Sequence, residues 1–288
     1  MNIVYLVFGK SIDNYQQVYF SIYTALLHKE DTDRIIVLAE DPSLFEHFGD
    51  RIEVIAITRE QIKEWTSKYD YLFRIKIKGL QLVASMYPND HLLFLDGDTF
   101  IYQDLSILKR GMDVGESFLH LNEGEISKMR DKSQKRMWST LKNKTFCEIL
   151  VNENTCMWNS GVIGIAKENL GALDLCLNLN DEMLDTGVVR RVIEQFAFSL
   201  ALTKVSPLKP ADHIVGHYWG NKEEWNKIIE DFLLRNFMKN STLETILDEV
   251  SKMPLREYPI WTRHSNTQRK LKRFIDSFYK DRRAQFVK

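Results

Sequence analysis

The chain has 288 residues, of which 44% are hydrophobic and 27% charged, and this composition excludes fibrous, disulfide-rich and disordered classes. Its three cysteines form no Cys-x-x-Cys pair, so we expect no structural zinc site and favour a reducing, cytosolic setting. The net charge of −1 is unevenly distributed. Residues 251–288 hold eleven Lys and Arg against three Asp and Glu, a net charge of +8, which leaves −9 on residues 1–250.

The first hundred residues alternate between strand and helix patterns. Short apolar runs predict strands at 3–8, 35–38, 52–57 and 92–95. Apolar residues recur at helical spacing over 14–28 and 71–87, and Thr58 precedes Gln61 by three residues in a capping-box pattern that begins another helix. This alternation predicts a mainly parallel sheet with helices on both faces, in which ligands bind beyond the carboxyl ends of the strands.

The second half of the chain is less regular. A polar stretch at 122–154 predicts a loop or a small helical insertion over the site, and a short apolar run predicts a strand at 162–165. Helices are predicted near 186–202, 222–236 and 242–252. We therefore expect one α/β domain over residues 1–235 and a helical, basic extension over residues 236–288.

The strongest motif follows the apolar run at 92–95. Asp96 and Asp98 flank Gly97, and residues two apart in an extended chain point to the same side. Gly97 places no side chain between them and lets a ligand approach the backbone. Two carboxylates at the end of a sheet strand suit Mg²⁺ or Mn²⁺ carrying a diphosphate. The alternative is an ordinary Asp-Gly turn that closes a strand.

The motif resembles the Asp-x-Asp motif of GT-A glycosyltransferases, especially the family 8 group that uses UDP-sugars. Four further segments between residues 1 and 230 resemble that family in the same order: Arg74 with Lys78, the Asn159-Ser160-Gly161 stretch, Glu194-Gln195, and His217 to Lys222. The implied fold is a single GT-A, Rossmann-like domain, with residues 1–235 as the catalytic part.

The resemblance implies a role for each matched residue. Asp96, Asp98 and His217 would hold Mn²⁺ or Mg²⁺, although His213 is a rival ligand. The donor nucleotide would contact Phe8, Arg74, Lys78, Asp96, Gly97, Asp98, Gly220 and Lys222, and the reacting face of the sugar would contact Asn159, Glu194 and Gln195.

Plainer interpretations exist for the segments beyond the metal motif. Arg74 and Lys78 also fit a solvated basic face, Asn159 a turn entering a strand, and Glu194-Gln195 the solvent side of a helix. Lys222 follows Gly220 one residue sooner than in the family pattern. The family often has Asp where this chain has Glu194.

The implied function is transfer of a hexose from a UDP-sugar to a glycan or lipid-linked saccharide, with retention of configuration, in a bacterial polysaccharide pathway. In the tail, Leu271, Phe274, Ile275 and Phe278 recur at helical spacing among Lys and Arg. This pattern predicts a cytoplasmic protein with peripheral contact to the inner face of the membrane, or a helix packed on the domain. We expect no nucleic-acid partner. A sugar nucleotidyltransferase and a non-catalytic nucleotide- or glycan-binding protein are the alternatives.

Overall fold

A computed structural model of the chain describes residues 1–261 together with Leu271 and Phe274. The strands are β1 (Asn2–Val7), β2 (Arg34–Ala39), β3 (Glu53–Ala56), β4 (Leu92–Leu95), β5 (Thr99–Ile101), β6 (Ser117–Glu125), β7 (Thr145–Phe146), β8 (Ile149–Leu150), β9 (Cys156–Ile165), β10 (Leu208–Pro210) and β11 (Val215–His217). The helices are α1 (Ile12–His28), α2 (Arg59–Thr66), α3 (Arg74–Met86), α4 (Ser106–Asp113), α5 (Lys132–Leu141), α6 (Ala172–Asp185), α7 (Ile193–Val205), α8 (Lys222–Lys239) and α9 (Leu243–Ser251).

Seven strands form the central sheet in the order β10-β6-β9-β4-β1-β2-β3. The pairs β1–β2, β2–β3, β1–β4 and β6–β10 are parallel, while β9 runs antiparallel to both of its neighbours, β4 and β6. The mainly parallel α/β sheet predicted from the sequence is therefore confirmed. A separate antiparallel pair joins β5, the strand that follows β4 along the chain, to β11.

The sheet separates two apolar cores. One core packs α1, α8 and α9 against the sheet, and its fully buried side chains include Phe20, Phe100 and Trp225. The other packs α3, α6 and α7 on the opposite face, with Phe94, Phe196 and Phe198 buried. Ile246 and Val250 of α9 belong to the first core, so this helix is part of the body that contains α1. The boundary expected after residue 235 falls inside α8.

The early elements form where the sequence predicts them. The capping box is present, because Gln61 donates its backbone N–H to Thr58 Oγ1 while Gln61 Oε1 accepts the backbone N–H of Thr58. The strand at 92–95 has the predicted bounds, and all four of its side chains are buried.

One expectation for the second half was wrong, and a second was incomplete. The helix expected over 186–202 begins later than expected: α6 ends at Asp185, Gly187 adopts a positive φ of 70°, and α7 begins only at Ile193. The strand expected at 162–165 is present, and it is the end of the longer, ten-residue β9. Its first half pairs with β6, and this tertiary pairing outweighs the turn preference of an Asn-Ser-Gly sequence.

The polar stretch between β6 and β9 is a compact insertion. It contains α5 and the two-stranded hairpin of β7 and β8, in agreement with the small helical insertion expected here. The basic pattern predicted for the tail falls on residues that lie outside the described part of the chain, apart from Leu271 and Phe274. No helix within the described part is both long and apolar enough to span a membrane.

Candidate functional site

The turn after β4 presents two carboxylates at the carboxyl end of the sheet. The backbone N–H of Asp96 donates to the carbonyl of Gly161 on β9 over 2.8 Å, and Thr99 Oγ1 donates to the carbonyl of Asp96, also over 2.8 Å. These bonds fix the turn through Gly97 to Asp98. The carboxylates therefore lie at the edge of the sheet where ligands of such folds bind.

Gly97 has a packing role in this turn. A Cβ at this position would lie 2.9 Å from Cγ2 of Val18 on α1 and 3.6 Å from the carbonyl oxygen of Asn14. The close approach of α1 thus accounts for the glycine, in addition to the access for a ligand that the sequence suggested.

The pairing of β11 with β5 delivers His217 to the two carboxylates. His217 lies opposite Thr99, and the N–H of Tyr218 donates to the carbonyl of Asp98 over 3.1 Å. His217 Nε2 is 3.3 Å from Asp98 Oδ2, and one ligand atom from each of Asp96, Asp98 and His217 lies within 4.8 Å of the others. Two carboxylates and one imidazole are a donor set that Mn²⁺ and Mg²⁺ accept, so these residues fit the predicted metal.

The rival ligand His213 lies in the turn before β11, where its side chain is exposed and outside this group. Asn159 orients the imidazole of His217. Its Oδ1 accepts the backbone N–H of Gly161 over 3.0 Å and lies 3.0 Å from His217 Nδ1. An amide oxygen can only accept, so Nδ1 donates a hydrogen bond to it, and Nε2 faces the carboxylates.

A second histidine supports the ring of His217 from the side. His120 packs edge-on against it with ring centroids 5.2 Å apart, and its Nε2 lies 3.0 Å from the carbonyl of Val215. Burial, followed by the nearby charge of His217, lowers the pKa of His120 to about 3. His120 is therefore neutral at physiological pH and packs against His217 without adding charge.

Lys76 is the buried cation of the site, and the sequence analysis missed it. Its Nζ lies 3.1 Å from Asp96 Oδ1 and 3.2 Å from Glu194 Oε1, and it donates to the carbonyl of Ser160 over 3.2 Å. Burial alone lowers the pKa of Lys76, but the two carboxylates outweigh burial and raise it. Lys76 therefore stays charged and holds Asp96 and Glu194 together.

The two cations predicted on the same helix lie elsewhere. Arg74 pairs with Asp181 of α6 over 2.9 Å and donates to the carbonyl of Trp65 over 2.7 Å, so it joins α3 to its neighbours. Lys78 is half-buried and makes no ion pair with any side chain in the described part of the chain. Helix α3 supplies a cation to the site as predicted, but that cation is Lys76, which lies between Arg74 and Lys78 in the sequence.

Lys222 reaches the site, as the resemblance implied. Its Nζ lies 2.8 Å from Asp98 Oδ2 at the start of α8. Burial would raise the pKa of Asp98, but His217 and Lys222 outweigh burial and hold the pKa of that carboxyl well below its usual range. Asp98 is therefore an anion at every physiological pH.

The chain between His217 and Lys222 is fixed by aromatic packing. Tyr218 stacks on Trp225 with centroids 4.4 Å apart, and Trp225 Nε1 donates to the carbonyl of Pro259 over 3.1 Å. Gly220 pairs with Trp261 in an isolated parallel bridge, and a Cβ there would collide with the indole ring. Gly220 is thus explained by the packing of residue 261.

The two polar residues Glu194 and Gln195 of α7 belong to different hydrogen-bond networks. Glu194 is buried and accepts hydrogen bonds from Ser160 Oγ at 3.2 and 3.4 Å. Burial raises the pKa of Glu194, and the charge of Lys76 opposes this rise. Gln195 Nε2 instead donates to Glu123 Oε2 over 3.2 Å.

Glu123 is a further residue that the sequence analysis missed. Besides its bond from Gln195, its Oε1 accepts from Asn159 Nδ2 over 3.3 Å, and burial raises the pKa of its carboxyl. It lies among the register shifts in the pairing of β6 with β9, which locally re-aim the side chains of β6. In the sequence, Glu123 is one glutamate within a polar stretch, and no motif there indicates that it enters the site.

A cleft of about 470 Å³ opens at the carboxyl ends of β1 to β3. Its walls include Gly9, Lys10, Glu40 and Arg59. Glu40 accepts the N–H of Gly9 over 2.7 Å and pairs with Arg59 over 2.8 Å. Phe8, the predicted nucleotide contact on this strand end, is half-buried against the second core directly before Gly9.

No protein-family description matches this sequence, and no curated protein matches it either. Solved structures do match. An active-site mutant of LgtC is 13% identical with a TM-score of 0.50 and covers 73% of each chain. The galactosyltransferase LgtC in complex with donor and acceptor sugar analogues is 13% identical (TM-score 0.49, 73% of this chain and 74% of that one). Mouse xyloside xylosyltransferase 1 in its apo form is 12% identical (TM-score 0.48, 73% and 85%).

The fold likeness to the first of these structures confirms the fold predicted from the sequence. The chain has the GT-A fold found in glycosyltransferases. It places its Asp96, Asp98 and His217 together at the carboxyl edge of the sheet.

Proposed function

We propose that the chain is a metal-dependent glycosyltransferase that moves a hexose from a UDP-sugar to a saccharide acceptor. The observation that carries this proposal is the convergence of Asp96, Asp98 and His217, from two distant parts of the chain, at the ligand-binding edge of a GT-A sheet. An ordinary Asp-Gly turn would not require a buried histidine 3.3 Å from its second carboxylate.

Asp96, Asp98 and His217 would hold Mn²⁺ or Mg²⁺. A bound divalent cation supplies Lewis-acid stabilisation of the departing diphosphate. Lys222 lies 2.8 Å from Asp98 and adds a fixed positive charge where negative charge grows as the glycosidic bond breaks. Arg74, which pairs with Asp181, is not needed for this task, and Lys76 acts by keeping Asp96 and Glu194 in place.

The nucleoside would lie in the cleft at the ends of β1 to β3. Neighbouring strands are about 4.8 Å apart, so the ends of β1 to β3 lie roughly 5 to 15 Å from that of β4. A diphosphate on the metal would thus leave its nucleoside over Phe8, Gly9 and Glu40. UDP is proposed from the family resemblance, as is retention of configuration.

The sugar would contact the network of Asn159, Gln195 and Glu123. Their amide and carboxyl groups are joined by hydrogen bonds of 3.2 and 3.3 Å, and Gln195 and Glu123 are only half-buried. Glu194 lies behind them, buried and held by Lys76 and Ser160. We assign Glu194 a positioning role, because a carboxylate in those contacts is not free to attack the sugar.

The test is turnover. Purified protein incubated with a panel of UDP-hexoses is expected to release UDP in the presence of Mn²⁺ and to stop when the metal is chelated. Asp98→Asn, which keeps the shape but removes the charge, is expected to lower the rate by at least about a hundredfold. Asp50→Asn on the exposed surface is the matched control and should leave the rate unchanged. Tight binding of UDP without any turnover of the panel would instead support a non-catalytic binding protein.

A further inference from the structure

The insertion between β6 and β9 carries a strongly basic surface. Lys132, Lys135 and Arg136 lie on one face of α5, since residues three and four apart are neighbours on a helix. Arg130 precedes the helix, and Lys142 and Lys144 follow it. All six side chains are exposed, while Met137 and Leu141 of the same helix are buried. We call these six cations the α5 basic surface.

The charges of this surface have no acidic partner within the described part of the chain. Lys128, just outside it, pairs with Glu125, but none of the six cations forms an ion pair there. The single acid between residues 128 and 144, Asp131, caps α5 by accepting the N–H of Ser133. Residues 1–250 carry a net charge of −9, so this concentration of positive charge runs against the charge of the body.

The insertion that carries the surface begins close to the proposed sugar site. The strand ladder that carries Glu123 and Asn159 ends at the pair Glu125–Cys156, where the insertion begins. Asn159 itself pairs with Leu121, four residues back along β6, so the insertion starts roughly 13 Å from Asn159. An acceptor of two or three sugar rings that enters the site from this side would contact the insertion.

The residue types on the surface indicate which kind of ligand it binds. No large apolar side chain between residues 130 and 144 is exposed, and Leu150 on β8 is the single exposed one between residues 122 and 155, too little for insertion into a bilayer. Clustered Lys and Arg without apolar neighbours instead suit phosphate or carboxylate groups in water. We infer that the acceptor is an acidic saccharide, bearing phosphate or carboxylate groups, and that the α5 basic surface binds it; this rests on the proposed function.

The test compares two acidic probes with a neutral one. Fluorescent hexagalacturonate and phosphorylated maltohexaose are titrated into the full chain beside unmodified maltohexaose. At least one acidic probe is expected to bind, and more weakly as salt is raised. The triple variant Lys132→Glu, Lys135→Glu, Arg136→Glu should weaken this binding at least about tenfold. The control Lys63→Glu, Lys167→Glu, Lys204→Glu makes the same charge change on exposed lysines of other elements and should weaken it less than about threefold.

Three results would overturn the inference: binding of neither acidic probe, equal binding of maltohexaose, or equal losses in the two triple variants. Vesicles of phosphatidylglycerol provide a further test. If the chain binds these vesicles but no saccharide, and the triple variant at Lys132, Lys135 and Arg136 loses vesicle binding, the surface is assigned to a membrane instead. Manganese-dependent UDP binding is measured on every variant and should be unchanged. Its absence from the unmodified chain would contradict the proposed function, whatever the acidic probes do.

Discussion

The imidazole of His217 occupies the space that a side chain at position 161 would need. A Cβ built on Gly161 collides with Nδ1 and Cε1 of that ring. Gly161 also fixes the turn of the metal motif, because its carbonyl accepts the N–H of Asp96. The Asn-x-Gly segment thus supports the proposed metal ligands from β9, with the amide of Asn159 holding the ring and Gly161 leaving room for it.

Gly161→Ala is therefore expected to displace His217. Overpacking in a buried site costs about 1–3 kcal/mol, so thermal unfolding should occur several degrees lower, and manganese affinity should fall. Gly171→Ala is the matched control, since nothing lies within 4 Å of a Cβ there and the backbone is helical. If Gly161→Ala binds manganese as tightly as the unmodified chain does, His217 is not a ligand.

Asn159 is expected to act on the metal through His217. Asn159→Ala removes the oxygen that accepts from Gly161 and orients Nδ1 of the ring, and loss of such a supporting contact typically lowers metal affinity about 10- to 100-fold. The measurement is a manganese titration followed by electron paramagnetic resonance. Asn154→Ala in an exposed loop should leave the affinity unchanged. An equal effect of the two substitutions would argue against an orienting role.

Lys76 is expected to stabilise the fold in a pH-dependent way. Its pKa is raised in the folded chain, so its stabilising charge is fully present below its unfolded value of 10.5 and is lost only at more alkaline pH. Lys76→Met leaves the carboxylates of Asp96 and Glu194 without their cation, which should cost about 3–5 kcal/mol at pH 8.

That cost should shrink as the pH falls towards 5. Burial already raises the pKa of Glu194, so without Lys76 this carboxyl can take up a proton and lose its unpaired charge. Chemical denaturation at pH 8 and pH 5 measures both values, with Lys78→Met as the control on the same helix. A deficit that is equal at the two pH values would contradict the assigned ion pair.

The fold could be predicted from the sequence where local signals and tertiary structure agree. The strand at 92–95 and the capping box at Thr58 have strong local patterns, and both form as expected. The prediction was wrong around Gly187 and gave only the end of β9. In β9, pairing with β6 makes a strand of residues with turn preferences, ahead of the part that also pairs with β4. Such pairing has no signature within a short window of sequence.

The site could be predicted only where its residues are close in sequence or belong to a recognised motif. Asp96, Asp98, His217 and Lys222 come together as the motifs implied. Lys76 was missed because the motif draws attention to Arg74 and Lys78, and the rotation of α3 alone decides which cation enters the site. Glu123 was missed because its position depends on the irregular pairing of β6 with β9.

The central claim is tested most directly by calorimetric titration of UDP into the full chain with and without Mn²⁺, repeated with Asp98→Ala. The account predicts that UDP binds in the presence of manganese, that chelation of the metal abolishes binding, and that Asp98→Ala binds at least about a hundredfold more weakly. UDP binding that is indifferent to both manganese and Asp98 would contradict the metal site. Absence of any binding with the metal present would contradict a UDP-sugar as the donor.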